Sequence, residues 1–347
     1  MIVSEGTKPI LRREKWNYMT KENVQKLANS YVTDYPTRTK KKAKEAFIER
    51  TKEGFRELGY TDQEMMEHNS FFGGKNLIIG PPDADYIFTA HYDTPGRNGW
   101  FVLPFSKVLG MGISSLIGAA MISVIVFGLG FITGFIGFNV ETYSIIIDIL
   151  PILAIVVAFS LLFAVKNPHN HNDNTSGCIG VYNVATIIQG YPELRERSAF
   201  ILFDNEEIGL FGSTAVAKWR KKKYPEKKNS LVINMDCIAD GDVLVVASRG
   251  KSIVKEEREK LAQFLSNEGF EALQKKSSIL GYLSDHANFS RGIMLSFARR
   301  SKLGGLYLPN IHTGKDRVWD LEQIGRLSES VVKYVVREVE DYQKDNV

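Results

Sequence analysis

The chain has 347 residues, of which 24% are charged and 44% hydrophobic, and a formal net charge of +4. That describes a globular bulk of one large domain or two modest ones, and so small a net charge makes no case for nucleic acid as a partner. Two cysteines, Cys178 and Cys237, exclude a disulfide framework, and the charged stretch Met1 to Lys15 lacks the apolar core of a secretory signal peptide.

In chain order, Lys21 to Leu58 reads as helical, and 1–58 as a helical N-terminal part. Asn76–Ile79 and Tyr86–Ala90 read as strands. Then comes an apolar interval: Leu109 to Phe138 carries no charged residue, and Ile145 to Val165 carries only Asp148. A spanning helix needs about 20 apolar residues, so 108–166 is expected to be a transmembrane two-helix hairpin, with spans at Gly110–Ile132 and Ile146–Val165. Arg97, Lys107 and Lys166 flank it while its tip carries no Lys or Arg. The positive-inside rule then puts both flanks, and the rest of the protein, in the cytoplasm. Glycines along the first span suit close helix packing and make a homo-oligomer plausible.

Beyond the interval, helices are predicted at Gly177–Gly190, Phe211–Lys223, Ile253–Asn267 and Leu321–Tyr342. Strands are predicted at Ser198–Phe203, Leu231–Met235, Val243–Ala247 and Gly292–Phe297. This alternation implies an α/β fold whose central sheet is covered by helices on both faces. The basic clusters Lys40–Lys44 and Arg220–Lys228 read as helix faces or ends, with an anionic membrane surface as the alternative.

Ligand-type residues fall just past the predicted strands, where open α/β sheets place their sites. Tyr86–Ala90 runs into His91 and Asp93, Ser198–Phe203 into Glu206 and Glu207, and Leu231–Met235 into Asp236. Asp173 lies in the polar run Asn172 to Gly177 before a helix, and His312 in the loop Ile311 to Asp316. Zinc accepts imidazole nitrogen and carboxylate oxygen. Two histidines and three carboxylates hold two ions if one carboxylate bridges. Two metals a few ångströms apart activate a water and stabilise an oxyanion, and a further carboxylate is needed as base. The Glu206-Glu207 pair supplies both a ligand and a base, and Asp93 can orient the His91 imidazole.

These segments resemble the co-catalytic di-zinc aminopeptidase family, which includes bacterial leucyl aminopeptidases, glutamate carboxypeptidase and glutaminyl cyclases. The matching pieces are Thr89 to Thr94, Asn172 to Gly177, Phe203 to Gly209, Asn234-Met235-Asp236, Ser284-Asp285-His286 and His312-Thr313. The resemblance covers roughly residues 60–345 apart from the insert and implies a mixed, mostly parallel sheet; the di-zinc peptidase domain is expected over 1–95 and 167–347. It implies His91 and Asp236 on one zinc, Glu207 and His312 on the other, Asp173 as the bridge and Glu206 as the proton-shuttling base. Asp285 would be a supporting residue. Cobalt or manganese would also suit these donors. The expected activity is that of a membrane-anchored aminopeptidase acting on peptides or N-acyl amino acids, membrane-associated ones among them. The alternatives are a single-zinc glutaminyl cyclotransferase, an N-acyl amino acid amidohydrolase and a non-catalytic membrane scaffold. The apolar hairpin is a departure from the family, which usually has a short loop there.

Overall fold

Apolar runs alternating with amphipathic segments fold into a single mixed sheet in the computed structural model, which describes residues 18–68, 73–96, 166–250, 252–278, 281–302 and 305–345. The strands are β1 (Gln63–Glu67), β2 (Lys75–Ile79), β3 (Tyr86–His91), β4 (Ser198–Phe203), β5 (Leu231–Met235), β6 (Val243–Ser248), β7 (Glu271–Lys276), β8 (Gly292–Arg300) and β9 (Leu306–Tyr307). Their order is β1-β2-β4-β3-β5-β8-β6-β7, with β9 on β8. The central strands β4, β3, β5 and β8 run parallel, so their C-terminal ends open on one edge. Antiparallel pairings flank them at β2–β4 and β6–β8. All six residues of β3 and of β4 are buried, as expected for parallel strands covered on both faces.

The helices are α1 (Tyr18–Thr33), α2 (Lys41–Glu57), α3 (Gly177–Ile188), α4 (Pro192–Glu196), α5 (Phe211–Lys223), α6 (Ser252–Asn267) and α7 (Leu321–Asp345). One face of the sheet meets the large core, where Phe88 and Phe200 pack with Leu27, Phe47, Ile179, Leu261 and Val331 from five helices. The opposite face holds a smaller core of Ile78, Ile87, Ile201 and Val232 under Val216 of α5. Every residue of α3 is buried, because it lies between β3 and α7; a helix so enclosed has no need of a polar side.

The N-terminal helical stretch is broken in two. Residues 34–40 are non-helical around Pro36, whose ring disfavours helix in the residue before it. Strands β1 and β7 went unpredicted because QEMME and EALQKK are polar sheet edges and carry no apolar run to read.

The expectation of a two-span integral membrane protein is corrected. Among the described residues no helix is long and apolar enough to cross a membrane. The longest, α7 with 25 residues, buries Ile324, Leu327, Val331, Val335 and Val339 along one stripe and carries Glu322, Arg326, Lys333 and Arg337 elsewhere. The apolar α3 has only 12 residues, against the roughly 20 a bilayer requires. The expected spans at 110–132 and 146–165 lie outside the described residues. Gly96 and Lys166 form an antiparallel bridge, so the chain leaves and returns at neighbouring points.

Candidate metal centre

The open ends of β3, β4 and β5 place the candidate residues. His91 is the last residue of β3, Glu206 and Glu207 follow β4, and Asp236 follows β5. Asp173 comes from the segment leading into α3. His312 comes from the loop after β9 and has a left-handed backbone, φ 59°. All five sequence-predicted ligand positions and Glu206 therefore converge on one buried cluster.

Asp173 is its centre. One carboxylate oxygen lies 3.3 Å from His91 Nε2 and the other 3.0 Å from His312 Nε2. His312 Nε2 is also 3.3 Å from Glu207 Oε2, while His91 Nε2 is 3.8 Å from Asp236 Oδ1 and 4.0 Å from Glu206 Oε2. Two nitrogen or oxygen donors on one tetrahedral zinc stand roughly 3.3 Å apart, given bonds near 2.0 Å. The donor spacing around Asp173 thus fits metal coordination. His91 Nε2 is buried and makes no hydrogen bond, which an apolar pocket would penalise and a cation would relieve. Three groups of side chains here have the spacing to hold a metal: His91-Asp173-Glu207, His91-Glu206-Asp236 and Asp173-Asp236-Cys237.

The electrostatics point the same way. Burial works against a charged His91, yet Glu206, Asp173, Asp236 and Asp93 outweigh it and hold the imidazole well above its usual range. Burial and the neighbouring Glu206 push the Asp285 carboxyl well up. So concentrated a negative potential is what a bound cation would neutralise.

The supporting shell is built from main-chain hydrogen bonds. Asp93 Oδ1 and Oδ2 accept the N–H groups of Glu206 and Glu207, at 3.1 and 3.2 Å. His91 Nδ1 lies 3.1 Å from the Asp93 carbonyl oxygen and 3.5 Å from its carboxylate, so Asp93 sets both the imidazole and the glutamate pair. Asp316 does the same for the next segment, accepting from Asn172 N at 2.8 Å and Asp173 N at 3.0 Å. Asn174 ties that segment to the end of β5, donating to the Met235 carbonyl at 2.9 Å and accepting from Cys237 N at 3.2 Å. The approach is so close that a Cβ on Gly177 would stand 2.2 Å from the Met235 oxygen. Thr89 donates to Asn234 at 2.8 Å and Asn234 to Ser284 at 3.0 Å, a polar chain that fixes the turn carrying Asp285.

Sequence reasoning missed three residues. Asp316 gave only the signal of a carboxylate four residues after His312. Arg38, fully buried, donates to the Tyr92 carbonyl, to the Tyr35 carbonyl at 2.9 Å and to Thr175 Oγ1 at 2.9 Å, joining the α1–α2 connection to two site segments. Cys237 is the third. His169 and His171 belong to the outer loop: His169 contacts Arg317 at 2.7 Å and His171 donates to the Asp316 carbonyl at 3.0 Å.

Fold and cluster together define an α/β protein with a histidine–carboxylate centre at the C-terminal edge of a largely parallel sheet. The model of peptidase family M28 matches residues 165–335, just under half of the chain. Among solved structures the chain is similar to the LapA aminopeptidase of Legionella pneumophila, with 17% identity and a TM-score of 0.55 over 97% of this chain and 76% of that one. It is also similar to the glutaminyl cyclase of Porphyromonas gingivalis, with 14% identity and a TM-score of 0.57 over 92% and 97%. A leucine aminopeptidase precursor from Bacteroides thetaiotaomicron gives 11% identity and a TM-score of 0.56 over 94% and 99%. At such identities the likeness is one of fold. No curated protein matches the chain.

Proposed function

We propose that this chain is a zinc-dependent metallopeptidase of the aminopeptidase type, acting on peptides or N-acyl amino acids. His91 and Asp236 hold one ion, Glu207 and His312 a second, Asp173 bridges them, and Glu206 is the general base. The observation that carries this reading is the position of Asp173, one oxygen facing each imidazole at 3.3 and 3.0 Å. The match to peptidase family M28 over 165–335 supports it. Zinc suits the donors, as do cobalt and manganese. When bound, two such ions acidify a water and polarise a scissile carbonyl. Glu206 takes the proton of the attacking water and passes it to the leaving amine. Asp93 keeps Glu206 in place through its main-chain N–H.

A second reading, a glutaminyl cyclotransferase, draws on the similarity to the Porphyromonas gingivalis glutaminyl cyclase. Elemental analysis alongside aminoacyl-amide hydrolysis by wild type and Glu206→Gln separates the two. Two zincs per chain, with hydrolysis reduced roughly a hundred- to ten-thousand-fold in the variant, support the peptidase. One zinc with release of a cyclised N-terminus supports the cyclotransferase, and a chain that retains no metal sinks both.

A further inference from the structure

We infer that Cys237 is a sulfur donor to the ion that Asp236 holds and Asp173 shares, an inference that rests on the two-metal reading above. Cys237 follows Asp236 at the end of β5 and is 1% exposed. Its Sγ lies 3.2 Å from Asp236 Oδ1. The ligand-type atoms of Asp173, Asp236 and Cys237 all fall within 4.8 Å of one another. A sulfur at about 2.3 Å and an oxygen at about 2.0 Å on one tetrahedral zinc stand roughly 3.5 Å apart, close to the spacing seen.

The thiol is aimed by its backbone. Cys237 has a left-handed conformation, φ 60°, which costs a side-chain-bearing residue free energy and persists only where its surroundings impose it. Here Asn174 Oδ1 accepts the Cys237 N–H at 3.2 Å, and the Cys237 carbonyl accepts Phe297 N–H at 2.9 Å. Cys178 is the internal contrast. It is equally buried, and its Sγ donates at 3.3 Å as that of Cys237 does at 3.2 Å, but its acceptor is the His91 main-chain carbonyl rather than the Asp236 carboxylate, and it belongs to none of the metal-spaced groups.

Coordination replaces the S–H bond by a metal–sulfur bond and releases the proton to solvent, with no change of oxidation state; that ion then carries four protein donors, and the open position for water lies on the ion of Glu207 and His312. A thiolate among oxygen and nitrogen donors biases that position towards zinc or cobalt and away from magnesium and manganese.

The test is a cobalt titration of the metal-free full chain, followed by absorption in the near ultraviolet and visible. A sulfur-to-cobalt charge-transfer band is expected in wild type and in Cys178→Ser, its full amplitude accounted for by one of two bound cobalt ions, and its loss is expected in Cys237→Ser. The wild-type band is read first, so misfolding of Cys237→Ser does not protect the inference; retention in Cys178→Ser then carries the assignment. Two cobalt ions bound without the band overturn the sulfur ligand and leave the two-metal reading standing. Loss of the band in Cys178→Ser also overturns it, and a chain that binds no cobalt overturns both.

Discussion

Asp316 holds Asp173 by its main chain: the Asp316 carboxylate accepts the Asp173 N–H at 3.0 Å and that of Asn172 at 2.8 Å. The loop that delivers His312 to one side of the Asp173 carboxylate therefore also fixes the backbone from which that carboxylate projects. Asp93 repeats the device on the other side of the site, with the N–H groups of Glu206 and Glu207.

Replacing Asp316 by Asn turns one of its two acceptors into a donor, so one N–H of the Asn172–Asp173 pair faces another donor. Partners of this kind typically carry a 10- to 100-fold effect on metal affinity. We expect Asp316→Asn to release zinc to a competing chelator with affinity lowered by about that factor. Retention equal to wild type would show that the Asp173 segment holds itself.

Asp93→Asn acts on the proposed base, Glu206. The amide leaves the N–H of Glu206 or of Glu207 without its carboxylate acceptor and weakens the hold on His91. The expected result is a kcat for aminoacyl-amide hydrolysis lowered about 10- to 100-fold while KM changes little, as befits loss of positioning rather than of binding. A rise in KM alone would place Asp93 in substrate binding instead.

Arg38 donates in three directions, to the Tyr92 and Tyr35 carbonyls and to Thr175 Oγ1, and lies 4.5 Å from the Phe47 ring centre. An ammonium cannot reproduce that planar fork, so Lys is not conservative here. Each hydrogen bond from a charged donor is worth about 1.5–3 kcal/mol, and Arg38→Lys should cost at least about 3 kcal/mol in denaturant unfolding. A loss under about 1 kcal/mol would mean water replaces the fork.

His286 supplies a pH dependence. Burial pushes its imidazole down to about 3 from an ordinary 6.5, and Ser277 Oγ lies 2.6 Å from its Nε2. The unfolded chain takes up a proton near pH 6.5 that the folded chain refuses until about pH 3. The contribution is thus intact above pH 6.5 and is lost as pH falls towards 3, with a slope of at most about 1.4 kcal/mol per pH unit. Urea unfolding between pH 7 and 4 should show this slope in wild type and a shallower one in His286→Gln; equal slopes would assign it to other groups.

Much of this was legible in the chain itself. The runs Ser198–Phe203 and Leu231–Met235 are short, mostly apolar and fully buried, and they form strands with those bounds, because largely apolar runs of that length fit an enclosed parallel sheet. His91, Glu206, Glu207 and Asp236 could be picked out because such residue types just past strands have little reason to be there except chemistry, while Asp173 and His312, in a polar run and a loop, were singled out with the help of the family resemblance. Side-chain geometry was not legible, since it depends on contacts between segments far apart in sequence. Asp316 reaches Asn172 across 144 positions and Arg38 reaches Thr175 across 137, and no local pattern records such pairs. The charged edges β1 and β7 escaped for the complementary reason: pairing with a neighbour, rather than their own composition, makes them strands. The sequence by itself determined which residues are candidate donors and which strand ends carry His91, Glu206, Glu207 and Asp236. Only the tertiary structure decided that Asp173 would face two imidazoles at once and that Cys237 would turn its sulfur towards Asp236, because both follow from where β3, β5 and the segment before α3 meet.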